Sequence, residues 1–160
     1  MRKALVFFVF GGLFAMLAFA KGQKAARTQD EQALQKIESE TAQFEQQNDA
    51  SKMGALADDW VCVMEGGKKA LSKAQFQQNV KHNFAAHDNG PSPYMIEKKN
   101  MRLDLFGDTA VVTYIKEYRQ TSDTTKFFDE DVIDVFTRSF IGWRLRFTKV
   151  GPVPLVPASR

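Results

Sequence analysis

The segment EDVIDVFTRSFIGWRLRFTKV, residues 130–150, decides the fold of this chain. Apolar and polar residues alternate on both sides of Phe140-Ile141, and this period of two is typical of antiparallel strands joined by a short turn. One carboxylate, Asp134, falls on the otherwise apolar face of the predicted hairpin. If the chain holds a chemical site, Asp134 is the first candidate for it.

The predicted hairpin has a definite register, because a turn at Phe140-Ile141 fixes every cross-strand pair. This register pairs Arg138 with Trp143, Phe136 with Leu145, Asp134 with Phe147, and Val132 with Lys149. The alternation predicts that Asp134 faces the interior. A structural alternative is an ion pair between Asp134 and Arg138, which lies four residues on and on the same face.

A second hairpin is predicted upstream, where alternation begins at Tyr94 and Gly107-Asp108 can form a two-residue turn. The turn pairs Leu105 with Ala110, Leu103 with Val112, Met101 with Tyr114, Lys99 with Lys116, and Glu97 with Tyr118. The polar pairs at the far end form either the rim of a pocket or a solvated strand end.

Helical spacing precedes the strands. Thr28 and Glu31 form a capping-box pattern that predicts a first helix, with an apolar stripe that reaches Asn48. A short second helix is expected over residues 53–59, followed by a strand over residues 60–64. Ser72 or Lys73 opens a third helix. The order of elements predicts an α+β fold, with three N-terminal helices followed by a meandering antiparallel sheet; the resemblance described below implies that the sheet is curved and that the helices pack on it.

The composition is that of one globular domain, with 44% hydrophobic and 26% charged residues among 160. The net charge of +3 falls to +1 if Arg2 and Lys3 are removed, which is too little for a nucleic-acid binder. The single cysteine, Cys62, has no partner in the chain, so it is expected to pack inside. No His, Cys or carboxylate spacing predicts a metal site, and no cofactor is expected.

The first twenty residues have the pattern of a cleavable signal peptide. A basic start precedes an apolar run, and the segment ends in Ala18-Phe19-Ala20. The alternative is a retained membrane anchor, because the apolar run is only slightly shorter than a spanning helix. We therefore expect a signal peptide over residues 1–20, a leader over 21–27, the folded domain over 28–150 and a Pro-rich tail over 151–160, in a periplasmic or secreted protein.

The order of three short motifs resembles the nuclear transport factor 2-like superfamily, in particular its SnoaL-like and ketosteroid-isomerase-like branch. Asp49 stands at the helix break, Leu56-Ala57-Asp58-Asp59-Trp60-Val61 follows the second helix, and Asp134-Val135-Phe136 lies nine residues ahead of Trp143. The resemblance covers residues 32–150. It implies a cone-shaped sheet wrapped around a helix, an apolar pocket and a homodimer.

Val132-Ile133-Asp134-Val135 is similar to the segment where ketosteroid isomerases carry their oxyanion-hole aspartic acid. In that role, which the resemblance implies for Asp134, the carboxyl stays protonated and donates a hydrogen bond to a developing enolate. The general-base position of that family falls on Met64, with Glu65 adjacent, and the second tyrosine donor is missing. Steroid isomerisation is therefore not expected.

Two functional hypotheses remain open from the sequence. The first is an exported module that binds an apolar small molecule in its cone or uses its sheet to dimerise or dock. The alternative is a pocket enzyme of the isomerase, dehydratase or cyclase type, with Asp134, Glu65 and His87 as catalytic candidates. The residues expected to contact a ligand are Trp60, Met64, Met101, Tyr114, Phe136, Arg138, Trp143 and Phe147.

Overall fold

The computed structural model describes residues 5–64, 70–86 and 91–153, with the backbone alone described at 5–25, 50–52 and 83–86. In these described ranges, two α-helices, one 3-10 helix and six strands follow one another. They are α1 (Leu5–Gln47), a 3-10 helix (Ala50–Ala55), β1 (Leu56–Val63), β2 (Ala70–Ser72), α2 (Lys73–Ala86), β3 (Tyr94–Phe106), β4 (Thr109–Gln120), β5 (Phe127–Ser139) and β6 (Gly142–Pro152). The α+β prediction is confirmed.

The chain forms two compact units, residues 1–36 and residues 37–160. The described part of the first is helical, and α1 runs through Thr28 without a new start, so the capping box does not begin a helix. Within this unit Arg27 lies 3.0 Å from Glu31, one turn later. In the part of the chain that the structure describes, no helix is both long and apolar enough to cross a membrane. The site described below lies in the second unit.

The second unit is built on one curved six-stranded sheet with the order β2-β1-β6-β5-β4-β3. All neighbours are antiparallel except β1 and β6, which are parallel, so the prediction of a wholly antiparallel sheet is wrong. The second predicted α-helix is also wrong, because Ala50–Ala55 is a 3-10 helix and β1 begins at Leu56. The helix break is confirmed at Asn48, whose φ of 53° is left-handed.

The hairpin of β3 and β4 contains a β-bulge that the predicted register lacks. Leu105 pairs with Ala110 as predicted, but the register shifts by one residue between Lys99 and Arg102. Asn100 has a φ of 55°, a conformation that asparagine adopts more readily than most residues, and it supplies the extra position. Beyond the bulge the other set of side chains turns inward, because side chains alternate across a strand.

The consequence for β3 is that Lys98, not Lys99, lies opposite Lys116 on the inner face. Ile96, not Glu97, pairs with Tyr118. Met101, predicted to face inward, has an exposed fraction of 36%.

The hairpin of β5 and β6 contains a second bulge, at Arg146. Arg138 pairs with Trp143 and Phe136 with Leu145 as predicted, and then the register shifts. Val135 pairs with Phe147, Asp134 with Thr148, and Val132 with Val150. Phe147 therefore belongs to the outer face, and a threonine lies opposite Asp134 in its place.

The core of the second unit lies between the inner face of the sheet and the segment of α1 from Ile37 onward. Phe136, Val112 and Leu56 are almost fully buried there, and each large apolar side chain removed from water contributes about 1.5 to 3 kcal/mol. Asp134 is buried among them with an exposed fraction of 2%, which confirms that it faces the interior.

Candidate functional site

An inner cavity of about 100 Å³ lies beside Asp134. Most of its wall is apolar and comes from α1, α2 and the inner face of the sheet. The apolar and aromatic residues that line it are Phe44, Leu56, Trp60, Cys62, Met64, Phe76, Tyr114, Tyr118, Val132, Leu145 and Val150. Its polar groups are Asp134 with Thr41 and Thr148 at one part of the wall, and Glu45, Lys116 and Glu130 at another.

Two hydroxyl groups hold the Asp134 carboxyl. Tyr114 Oη donates to Oδ2 at 2.7 Å, and Thr148 Oγ1 donates to Oδ1 at 2.5 Å. Trp60 Nε1 in turn donates to Thr148 Oγ1 at 3.1 Å. A residue of β1, 88 positions earlier in the chain, therefore orients the threonine side chain. Burial raises the pKa of Asp134, although Lys98 and the two hydroxyl donors act against it. The carboxyl is therefore fixed in position and disposed to hold a proton.

Glu38, Lys98 and Asp134 form what we call the closed cluster. Lys98 Nζ donates to Glu38 Oε2 and to Thr41 Oγ1, the latter at 2.7 Å, and it lies 4.5 Å from the centre of the Tyr114 ring. Glu38 is fully buried and Lys98 has only 6% of its side chain exposed. Two carboxyls thus share one ammonium group away from solvent.

The closed cluster holds a proton near neutral pH. Burial, together with the nearby Asp134 carboxyl and against the effect of Lys98, raises the pKa of Glu38 to about 7. Glu38 Oε1 is the one buried side-chain oxygen without a hydrogen-bond partner in the described part of the chain. A proton held between Glu38 and Asp134 gives this oxygen a partner and makes the cluster neutral.

Glu45, Lys116 and Glu130 form a second group, the open cluster. Lys116 Nζ lies 2.5 Å from Glu45 Oε2, and Lys116 is the cross-strand partner of Glu130. Burial alone would lower the pKa of Lys116, but Glu45 raises it well above its ordinary value. Burial raises the pKa of Glu130, while Lys116 and a hydrogen bond from Tyr118 act against it. Again two carboxyls share one ammonium group.

Two larger cavities share walls with the inner one. An outer cavity of about 390 Å³ contains Glu45, Phe76, Tyr118 and Glu130, together with residues of β3 and the segment before it. A third cavity of about 460 Å³ contains Met64, Glu130 and Val150. Glu130 lines all three cavities, so the open cluster lies where they meet.

The structure places the predicted site residues unevenly. Trp60, Met64 and Tyr114 line the inner cavity beside Asp134. Met101 and Phe147 do not: Met101 lies within the first bulge and is 36% exposed, and the second bulge turns Phe147 to the outer face.

The remaining predicted contacts lie elsewhere. Phe136 and Trp143 are buried in the core outside the cavity wall. Arg138 stacks on Trp143 at 4.5 Å and lies 3.3 Å from Asp108, near the turns, while Asp134 binds hydroxyl groups. Glu65 and His87 lie outside the described residues.

Cys62 packs against the inner cavity, as its position in β1 predicts. Its Sγ lies 3.7 Å from Met64 Sδ. Burial raises the pKa of the thiol to about 11, so little thiolate forms at neutral pH and the side chain is chemically inert. Among the described residues, no group of three or more His, Cys, Asp or Glu side chains is placed to hold a metal ion.

Sequence reasoning missed Glu38, Lys98 and Thr148. The apolar stripe predicted for the first helix leaves out Glu38, because a glutamate at such a position is ordinarily exposed to solvent. Asn100 inside a strand was a usable signal for the bulge that turns Lys98 inward. The residues around Arg146 contain no sequence signal that predicts the second bulge.

The comparisons with known proteins identify a fold. No protein-family model matches the chain, and no curated protein matches it significantly. Among solved structures, an NTF2-like protein with a cystatin-like fold from Novosphingobium aromaticivorans is similar at 13% identity and a TM-score of 0.69, covering 87% of this chain and 92% of the other.

Two further structures have the same architecture. An NTF2-like protein of unknown function from Pseudomonas putida KT2440 matches at 14% identity and a TM-score of 0.66, over 82% of this chain and 91% of the other. An NTF2-like superfamily protein from Salmonella enterica matches at 12% identity and 0.61, over 84% and 99%. The chain has the NTF2-like fold, and at these identities the similarity extends to the fold alone.

Proposed function

We propose that the domain binds a small, mostly apolar molecule in the inner cavity and holds one polar atom of it through Asp134. The observation that carries this proposal is a buried carboxyl, fixed by Tyr114 and Thr148, in the wall of an otherwise apolar cavity. Ligand sites commonly combine apolar walls with a few fixed polar groups.

The size of the cavity limits the ligand. About 100 Å³ is well below the roughly 300 to 1,000 Å³ of sites for drug-sized molecules. The ligand is therefore a molecule of few heavy atoms, or the buried end of a longer one. Because the pKa of Asp134 is raised, its carboxyl can donate a proton to a hydrogen-bond acceptor such as a carbonyl oxygen.

A matched pair of probes tests the proposal. Cyclopentanone and methylenecyclopentane have the same shape, but only the first carries an acceptor oxygen. We expect cyclopentanone to bind more tightly in ligand-observed NMR, and we expect its binding to weaken as the pH rises and Asp134 loses its proton. Equal binding of both probes, or no binding of either at millimolar concentration, would refute the proposal.

Two valine variants locate the site. Val150→Phe places a ring in the inner cavity, whereas Val111→Phe adds the same ring on the opposite face of the sheet. We expect the first to abolish cyclopentanone binding and the second to leave it unchanged. Asp134→Leu should bring the affinity for cyclopentanone down to that for methylenecyclopentane.

A second candidate is acid–base catalysis in the same cavity. It is favoured by the pKa of Glu38, about 7, next to a carboxyl that lines the cavity. Asp134 would donate a proton to a carbonyl oxygen while water removes a proton from the adjacent carbon, which gives the enol and a hydronium ion. Glu38 would then return a proton to Asp134 and recover one from the hydronium ion, and the reverse reaction in D₂O would place deuterium on the carbon. The test is deuterium exchange into cyclopentanone in D₂O. A rate equal to that with Glu38→Gln would refute catalysis and leave binding intact.

Export and self-association are further proposals, supported by the sequence. The pattern of residues 1–20 supports removal of a signal peptide. N-terminal sequencing of protein from the native host would show whether the chain begins near Lys21. The resemblance to NTF2-like proteins supports a homodimer, and light scattering of the purified protein measures its mass in solution.

A further inference from the structure

The outer cavity differs from the inner one in having a partly exposed aromatic wall. The rings of Tyr118 and Phe128 are stacked, with centroids 4.5 Å apart and an interplanar angle of 12°. Tyr94 meets both rings edge-on, at 6.3 and 5.6 Å. Phe128 keeps 47% of its surface exposed, although it is a large apolar side chain. These three rings line a cavity of about 390 Å³, which is within the usual range for ligand sites.

The same cavity carries a surplus of negative charge. Glu45 and Glu130 both line it, and among the described residues the cation that acts on both is Lys116, which is buried and does not line the cavity. Lys116 acts on Glu130 electrostatically, and within the described ranges no lysine or arginine forms a direct ion pair with Glu130. The open cluster therefore has two carboxyls for one ammonium group. A second positive charge in the cavity would neutralise it.

The wall already pairs a ring with a positive charge. Lys116 Nζ lies 5.0 Å from the centre of the Tyr118 ring, and the Tyr118 ring is itself stacked with that of Phe128. Aromatic rings attract cations through their negative faces, and cages of several rings with a nearby carboxylate are the usual site for substituted ammonium groups. Tyr94, Phe128 and Phe76 offer further ring surface to the cavity itself.

We propose that the outer cavity binds a small organic cation, with its ammonium group between Glu130, Glu45 and the rings of Tyr94 and Phe128. This proposal is independent of the one for the inner cavity, since it rests on different walls and a different charge. The volume of about 390 Å³ accommodates a free cation that carries a trimethylammonium group and leaves room for a larger substituent. An anionic ligand is disfavoured because it would add to the surplus negative charge.

Choline and 3,3-dimethyl-1-butanol test the proposal on the unmodified full chain. The two molecules have nearly the same shape, because a carbon atom replaces the quaternary nitrogen in the alcohol. We expect calorimetry to show at least tenfold tighter binding of choline at low ionic strength. Equal affinities would show that the cavity binds shape and not charge, and the proposal would be wrong. It would equally be wrong if choline did not bind at 10 mM.

Variants separate the two cavities. Phe128→Leu and Tyr94→Leu keep an apolar side chain but remove a ring, and we expect each to weaken choline binding about tenfold. Glu130→Gln removes the charge and should do the same. Asp134→Leu changes only the inner cavity, so it should leave choline binding unchanged while it impairs cyclopentanone binding. Circular dichroism of each variant checks the fold, and an unchanged affinity in the correctly folded ring variants would contradict the proposed location.

A membrane headgroup could present the same trimethylammonium group. Co-sedimentation with phosphatidylcholine vesicles, compared with phosphatidylglycerol vesicles, distinguishes this source. We expect no preference for phosphatidylcholine, because the cavity is sized for a free molecule. Binding to these vesicles without binding to free choline would overturn the proposal of a free cation.

Discussion

The closed and open clusters are built on the same plan. Glu38 and Glu45 lie seven residues apart on α1, and Lys98 and Lys116 are direct cross-strand partners. Each lysine binds one glutamate of the helix. Each pair is then joined by a carboxyl from β5, where Asp134 and Glu130 stand four residues apart on the inner face. Both clusters therefore set two carboxyls against one ammonium group.

The clusters differ in what can reach them. Glu38 is fully buried and hydroxyl groups surround Asp134, whereas Glu45 keeps 19% of its side chain exposed and Glu130 lines all three cavities. An uncompensated charge in a protein interior is costly, so it is usually neutralised. We infer from the comparison that a proton neutralises the surplus carboxyl in the more buried cluster, and we propose that a bound cation does so in the cluster that lines the larger cavities.

Removal of the ammonium groups is the strongest test of this comparison. We expect Lys98→Met to lower the free energy of unfolding by about 3–5 kcal/mol at pH 7, because it leaves buried carboxyls without a cation. Lys116→Met should cost less than half as much, since solvent can reach Glu45 and Glu130. Urea denaturation measures both. Equal losses in the free energy of unfolding would mean that access of solvent to Glu45 and Glu130 does not reduce the cost of removing their cation, and would contradict the comparison.

The pH dependence of stability tests the proton of the closed cluster. The pKa of Glu38 is raised from 4.5 to about 7 in the folded protein. Between these two pH values the folded state therefore binds more protons than the unfolded state. The stabilisation is therefore complete below pH 4.5 and is lost as the pH rises to 7, by about 3 kcal/mol. Glu38→Gln should flatten this profile, and Glu40→Gln, at an exposed position of the same helix, should keep it. A wild-type stability that rises between pH 5 and 7 would contradict the assignment.

Removal of single hydroxyl groups should have a smaller effect. Tyr114→Phe takes a donor from Asp134 in the sealed site, and we expect a loss of about 1–2 kcal/mol in the free energy of unfolding. The matched change at the open cluster, Tyr118→Phe, should cost less, because water can replace the lost hydroxyl beside Glu130. Thermal or urea unfolding of the two variants gives the comparison. A larger loss for Tyr118→Phe would reverse the distinction between the clusters.

The bulge at Asn100 gives the smallest expected effect. Its left-handed φ of 55° disfavours a β-carbon, so Asn100→Ala should lower the stability by about 1 kcal/mol, whereas Asn100→Gly should be nearly neutral. Urea denaturation again gives the measurement. If the alanine variant is as stable as wild type, the bulge does not depend on the conformation of this residue.

The sequence predicted the four strands from Tyr94 onward and the orientation of Asp134 well, and the physical reason is local. Which way Asp134 points depends on the alternation of β5 itself, with Val132 and Phe136 on the same face. The bulge in β6 changes which residue lies opposite Asp134, but it does not change the face of β5 from which the Asp134 side chain projects. The prediction of its orientation therefore survived although its predicted neighbour, Phe147, was wrong.

The charged partners could not be predicted, because they depend on distant segments. Glu38 is buried only because Lys98, sixty residues later, turns inward beyond a bulge. The residues around Glu38 in the helix are mostly polar, and nothing in that local sequence indicates that a lysine sixty residues later will be its partner. The same holds for Glu130, whose place at the meeting of three cavities follows from the curvature of the sheet.

The parallel pairing of β1 with β6 bears on the order in which the molecule assembles. Strands β3 to β6 follow one another as hairpins and need only short loops to close, whereas β1 meets β6 across more than eighty residues of chain. We expect the four-stranded meander to form first and β1 to dock last. Since Leu56, Trp60 and Cys62 of β1 line the inner cavity, the last event of folding is also the one that encloses it. Partial release of this late-docking strand would then be the lowest-energy route by which a molecule could enter or leave.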